Sequence, residues 1–187
     1  MTASGRRVAR NRAALRVTLF TRATRAEPMG TMAFAQNEAA RRRYFVLLHN
    51  MDPPDPEEWR AYMAALDKSF AKTVKRLSVF VATDGGAPDD VQRRELAEII
   101  SKASRDALIH VFTTHPAVKS VVTAMRWIAP ARAISHHPRQ FPVVCEQNGF
   151  EPTNILHDLL TTQRSFQPVQ IVADIAAVVN PKLKAKR

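Results

Sequence analysis

The chain has a single cysteine, Cys145, in 187 residues. One thiol excludes an intramolecular disulfide framework and any metal site built from several cysteines, and it fits a reducing, cytoplasmic setting. There is no uninterrupted apolar run of about 18 residues, so the sequence offers no membrane-spanning helix. The first 31 residues lack the apolar stretch of roughly 7–15 residues that a secretory signal needs. Catalytic signatures are missing as well. There is no G-x-S-x-G around a serine, no Walker loop and no G-x-G-x-x-G. No internal repeat or low-complexity tract is present. The length fits one domain of common size plus tails, for which 45% apolar residues supply enough core.

Acidic residues are scarce only at the ends. The formal net charge is +11. Residues 1–31 hold seven arginines against one acid, Glu27, and the last seven residues hold four basic groups and no acid. Residues 32–180 hold 17 basic against 16 acidic side chains, so the globular part is nearly neutral. The division is therefore a basic N-terminal extension over 1–37, a domain over 38–180 and a basic tail over 181–187. The extension reads as disordered or as a gene-start artefact with initiation at Met29 or Met32. A nucleic-acid or membrane arm and an organelle transit segment are the other readings.

Within the domain, apolar runs alternate with helical periodicity. The stretches 44–49, 77–82, 107–113 and 131–135 read as strands. Three prolines in 52–56 force a turn, and Asp55 is placed to cap a helix whose first turn carries Glu57 and Glu58. Trp59, Met63, Leu66, Phe70 and Val74 then recur at helical spacing to about Lys75. A second helix is expected over 88–104, with Val91, Leu96, Ile99 and Ile100 inward. A third begins at Pro116 and buries Val118, Val121, Val122 and Met125 before Pro130 ends it. Further helices are expected through Val143 to Gln147, closed by Gly149, and over 154–163. Gln170–Val179 reads as a helix, with a strand as the alternative. Strands separated by helices require parallel pairing and right-handed crossovers. The expected fold is α/β, with a small, mostly parallel, four-stranded sheet and packing helices.

The organising stretch is 77–94, LSVFVATDGGAPDDVQRR: a buried strand, a glycine turn and a helix start in succession. Thr83, Asp84, Gly85 and Gly86 form an anion-cradle pattern, because glycines let backbone N–H groups approach a phosphate at a helix N-terminus. Asp84, Asp89 and Asp90 oppose that, and favour a metal-bridged ligand or a basic partner. The plain alternative is a tight turn that needs positive φ. Gln92 and Arg93 lie on the next helical turn, where Arg93 either pairs with a nearby aspartate or anchors a partner carboxylate. Thr114 and His115 end the third strand and should share the same sheet edge, outside which open α/β sheets hold ligands. A metal there would need His115, His136 or His137 with Asp84, but neighbouring histidines in extended chain point opposite ways. Cys145 reads as a buried, inert thiol, and His110 as a core residue. Neither a catalytic residue nor a cofactor is assigned.

The strand 77–82, the turn Thr83-Asp84-Gly85-Gly86 with the helix after it, and the strand-helix pair ending in Thr113-Thr114-His115 resemble the STAS domain. That family is the anti-sigma-factor-antagonist type of small α/β module, and the resemblance covers roughly 43–150. Its turn commonly carries Asp-Ser-Ser-Gly, with a serine phosphorylated by a partner kinase. Here the turn has no serine, and Thr83 precedes the aspartate. The resemblance implies a protein-interaction or regulatory module with a protein partner, and no catalysis. The residues leave two alternatives open: a small ligand-binding or enzymatic domain using the carboxyl edge of the sheet, and nucleic-acid association through the basic tails.

Overall fold

The computed structural model describes residues 16–18, 30–39, 42–72, 77–102, 107–128 and 132–180. The rest of the basic extension, the tail 181–187, and the expected helix ends at Val74, Ser104 and Pro130 lie outside the described residues.

The hub strands form where sequence expects them: β3 (Arg42–His49), β4 (Leu77–Thr83), β5 (Leu108–Phe112) and β6 (Arg132–His136). They pair in parallel and in chain order. Two more strands precede them. β2 (Met32–Ala39) runs antiparallel to β3, and the three-residue β1 (Arg16–Thr18) runs antiparallel to β2. The sheet is therefore α/β and mixed, with five main strands instead of four. The expected domain start at 38 also falls six residues inside a strand. The reason is compositional: MAFAQNEA lacks β-branched residues and ends polar, so it resembles the extension before it. It becomes a strand because Met32 and Phe34 reach the core opposite His49 and Leu47.

Helices α1 (Pro56–Lys72), α2 (Asp90–Lys102) and α3 (Pro116–Ile128) are the crossovers between parallel strands. A sheet that adds one neighbour at each crossover, always with the same hand, lays its crossover helices on one face. That face holds Phe45, Leu47, Val79, Val81, Ile109 and Val111 against Trp59, Tyr62, Leu66, Leu96, Val118 and Val122. The pleat sends Tyr44, Val46, Leu48, Phe80 and Phe112 to the opposite face. There a 3₁₀ turn (Pro138–Gln140) leads into α4 (Phe141–Gln147), α5 (Pro152–Gln163) and α6 (Gln170–Val179). Phe141, Leu159 and Ile175 are fully buried in this second layer. Gly149 follows α4 at φ +73°, as a C′ glycine should. Gln170–Val179 is helical.

One inward assignment fails. Val91 is 63% exposed. The helix starts at Asp90, so the buried row runs through Gln92, Leu96 and Ile100, with Ile99 partly buried. Gln92 takes the inward place one turn before Leu96. No helix among the described residues is long and apolar enough to cross a membrane.

Candidate functional site

The carboxyl ends of β3, β4 and β5 meet at one edge, and main-chain hydrogen bonds lace their loops together. Asp84 N–H donates to His49 O at 3.2 Å, and Gly86 N–H donates to Asn50 O at 2.9 Å. Gly85 N–H donates to Thr83 Oγ1 at 3.3 Å, and the same hydroxyl donates to Gly86 O. A phosphate cradle needs free N–H groups, and all three in this turn are already donated. Glycine is required at both positions for other reasons. Gly85 sits at φ +154° against the His115 ring. A Cβ on Gly86 would lie 2.2 Å from Asp52 O and 2.7 Å from Asn50 O. The turn is shaped to fit the 50–52 loop.

The carboxylates are engaged too. Asp84 accepts from Gln170 N–H at 2.7 Å and Ile171 N–H at 2.9 Å, the first amides of α6. Val169, at the N-cap position of that helix, has no side-chain cap of its own. Asp84 supplies it from the end of β4, placing negative charge at a positive helix end. Asp89 accepts from Gln92 N–H at 2.8 Å while Gln92 Oε1 accepts from Asp89 N–H at 3.0 Å, a reciprocal capping box for α2. Gln92 Nε2 also donates to Pro54 O at 3.1 Å, tying α2 to the β3–α1 loop. Arg93 donates to Pro88 O and pairs with Asp90. Thr114 is exposed, and His115 lies partly buried under Gly85 with its Nδ1 unpartnered.

The edge therefore gathers Thr83, Asp84, Gly85, Gly86 and His115, with Gln92 and Arg93 on the adjoining helix turn. Asp84, Asp89 and the turn amides all have partners within the chain. Ligands in open α/β sheets enter where the strand order reverses and neighbouring loops part. Here β3 to β6 run in order without reversal, so these strands have no switch point. No known family, curated protein or solved structure matches the chain.

The remaining histidines divide between the faces. His137 caps the 3₁₀ turn, accepting from Arg139 N–H. His136 turns to the second face, where its Nε2 lies 3.2 Å from His110 Nδ1. His110 stacks on Phe80 and His136 on Phe112. Burial, the neighbouring His136 and, in opposition, Asn148 set the pKa of His110 at about 4. No group of three or more metal-ligating side chains occurs among the described residues. Cys145 is buried in the second layer, and burial first, then Glu146 and Glu151, push its thiol far above the ordinary range. A protonated, inaccessible thiol is no nucleophile.

One residue of the edge escaped the sequence reading. His49 pairs in register with Thr83, and both project to the first face. His49 is 5% exposed, and its Nε2 has no hydrogen-bond partner. Burial lowers its pKa to about 4, against weaker upward pulls from the main chain of Asp52 and Gly86 and from the Asp52 charge. The ring is neutral near pH 7. His49 and Thr83 lie at the polar end of a cavity of about 80 Å³ between the sheet and α1 to α3. Its other walls are mostly apolar, Val81, Val111, Val118, Val122 and Met125 among them, with Trp59 and Tyr62 from α1, and Pro54, Gly86, Ala87 and Pro88 bound it on the loop side. Register was the available signal, since His49 ends its strand as Thr83 ends the next.

Proposed function

We propose that this chain is a non-enzymatic, STAS-like interaction module that docks a protein partner on the edge formed by the 50–55 loop, the 83–89 turn and the start of α2. The observation that carries this reading is the contrast at that edge. Its carboxylates and turn amides are bound internally, whereas Met51 and Val91 stand 67% and 63% exposed. A catalytic edge would keep an acid, base or nucleophile open to substrate. A docking edge presents apolar side chains from a rigid frame, with polar groups around them. Single exposed apolar residues are common on any surface. Here two of them flank a turn that internal bonds hold rigid.

The test uses substitutions that spare the frame. Met51→Asp and Val91→Asp, singly and together, should leave the thermal melt unchanged and remove the partner recovered by in-cell crosslinking and quantitative mass spectrometry. An unchanged crosslinked set in the double variant overturns the reading. Asp84 is unsuitable as a probe, because replacing it uncaps α6 and confounds folding with docking.

A further inference from the structure

We propose that the cavity beneath the glycine turn binds a small, neutral, largely apolar molecule carrying one hydroxyl or carbonyl group, held at that group by His49. The inference does not depend on the docking reading. Natural cores close most voids larger than a water molecule, yet about 80 Å³ stays open here inside a layer of well-buried side chains. Water fits it poorly. A buried water needs two to four polar partners. Of the side chains lining the space, only His49, Thr83, Tyr62 and Trp59 carry an N–H or hydroxyl, and the Trp59 indole is already donated to Glu95. Thr83 Oγ1 already donates to Gly86 O and accepts from Gly85 N–H. His49 Nε2 is buried without a hydrogen-bond partner, on a side chain more than nine-tenths buried.

A group with hydrocarbon on most sides and one hydrogen-bonding atom satisfies both features of the cavity. The hydrocarbon meets Val81, Val111, Val122 and Met125, and the polar atom completes the bonding of the imidazole. A ring held neutral by burial offers no charge to an anion, so a neutral ligand is the match. Size sets a further limit. An apolar protein cavity of about 150 Å³ holds the six carbons of benzene, so this one, about half that volume, takes a molecule of roughly four heavy atoms or fewer. Met32 and Met125 give the wall some adaptability.

The experiment is a titration of the full chain at pH 7 with 2-propanol and with isobutane, a hydrocarbon of the same shape. It is read from the methionine methyl resonances and the imidazole ¹⁵N resonances of His49. The expected result is saturable movement of the Met32 and Met125 methyls, with 2-propanol binding roughly tenfold tighter, the scale of one hydrogen bond in a dry site. The His49 Nε2 resonance should move with the alcohol and stay still with the hydrocarbon. In His49→Phe the hydrocarbon should still bind and the preference should vanish. If that variant does not fold, the comparison of the two probes on the native chain decides alone. Absence of saturable methyl shifts overturns the proposal. So does equal binding of the two probes with His49 unmoved, or an alcohol preference that survives His49→Phe.

Discussion

Asp84 directly follows β4 and caps a helix that begins 86 residues later. Its two oxygens each take one amide of α6, so the side chain ties the sheet edge to the second helical layer. Asp84→Ala should cost about 1–2 kcal/mol in chemical denaturation, and amide exchange at Gln170 and Ile171 should rise before exchange elsewhere does. Gly86 answers to a different constraint, because two carbonyl oxygens of the 50–52 loop occupy the space a Cβ would need. Gly86→Ala should cost about 3 kcal/mol or more, since backbone on both sides must shift. Tyr44 shows a third kind of residue-level tie. Its hydroxyl donates to Asp158, which also accepts from Asn37 Nδ2 at 3.0 Å, so a buried carboxylate on α5 is held by β2 and β3 together. Burial and that carboxylate push the phenol pKa well above its ordinary value. Tyr44→Phe should cost roughly 1–2 kcal/mol by leaving Asp158 short of a donor, measured against the native chain in urea.

Helix α2 separates what sequence makes legible from what it hides. The aspartates before Val91 announce a helix start, and periodicity alone then turns Val91 inward. The capping box settles the phase differently: Asp89 and Gln92 bond reciprocally, and Gln92 goes in to reach Pro54 O. An inward glutamine is invisible to an apolar count, because its reason lies in a loop 38 residues earlier. The two positions should therefore behave opposite to their hydrophobicity. Gln92→Ala should cost about 1–2 kcal/mol, while Val91→Asp should stay within about 0.5 kcal/mol of the parent; paired thermal melts decide it. Strand β2 was missed for a related reason, since its alanines and polar tail carry little strand preference and its pairing comes from β3. The parallel strands and the helices between them were legible because each carries its own apolar pattern. The role of the glycine turn was not, because its acceptors come from His49, Asn50 and Thr83 and its aspartate serves α6.

For the whole molecule, two buried histidines, His49 on the first face and His110 on the second, set a common pH response. Both have folded pKa values near 4, below the ordinary 6.5. The unfolded chain therefore takes up protons first as the pH falls. Stability should be fully present above about pH 6.5 and should decline toward pH 4, by up to about 3 kcal/mol for each residue. Denaturation midpoints measured from pH 7.5 to 4 should show that slope, and His110→Gln should flatten part of it. A midpoint that holds constant across the range would contradict the buried, neutral state of both rings. The order of the strands has a further consequence, for the history of each molecule as it is made. Because β3, β4, β5 and β6 neighbour one another in the order they leave the ribosome, each new strand finds its template already in place, and the loops to be closed stay short. The far side of the sheet has no such help. Phe80 and Phe112 remain wet until residues 141–179 arrive to cover them. Asp84, waiting at the end of β4, is then a latch set early in synthesis and engaged near its end. The interval between the two is when the nascent chain is most exposed to aggregation or to a chaperone.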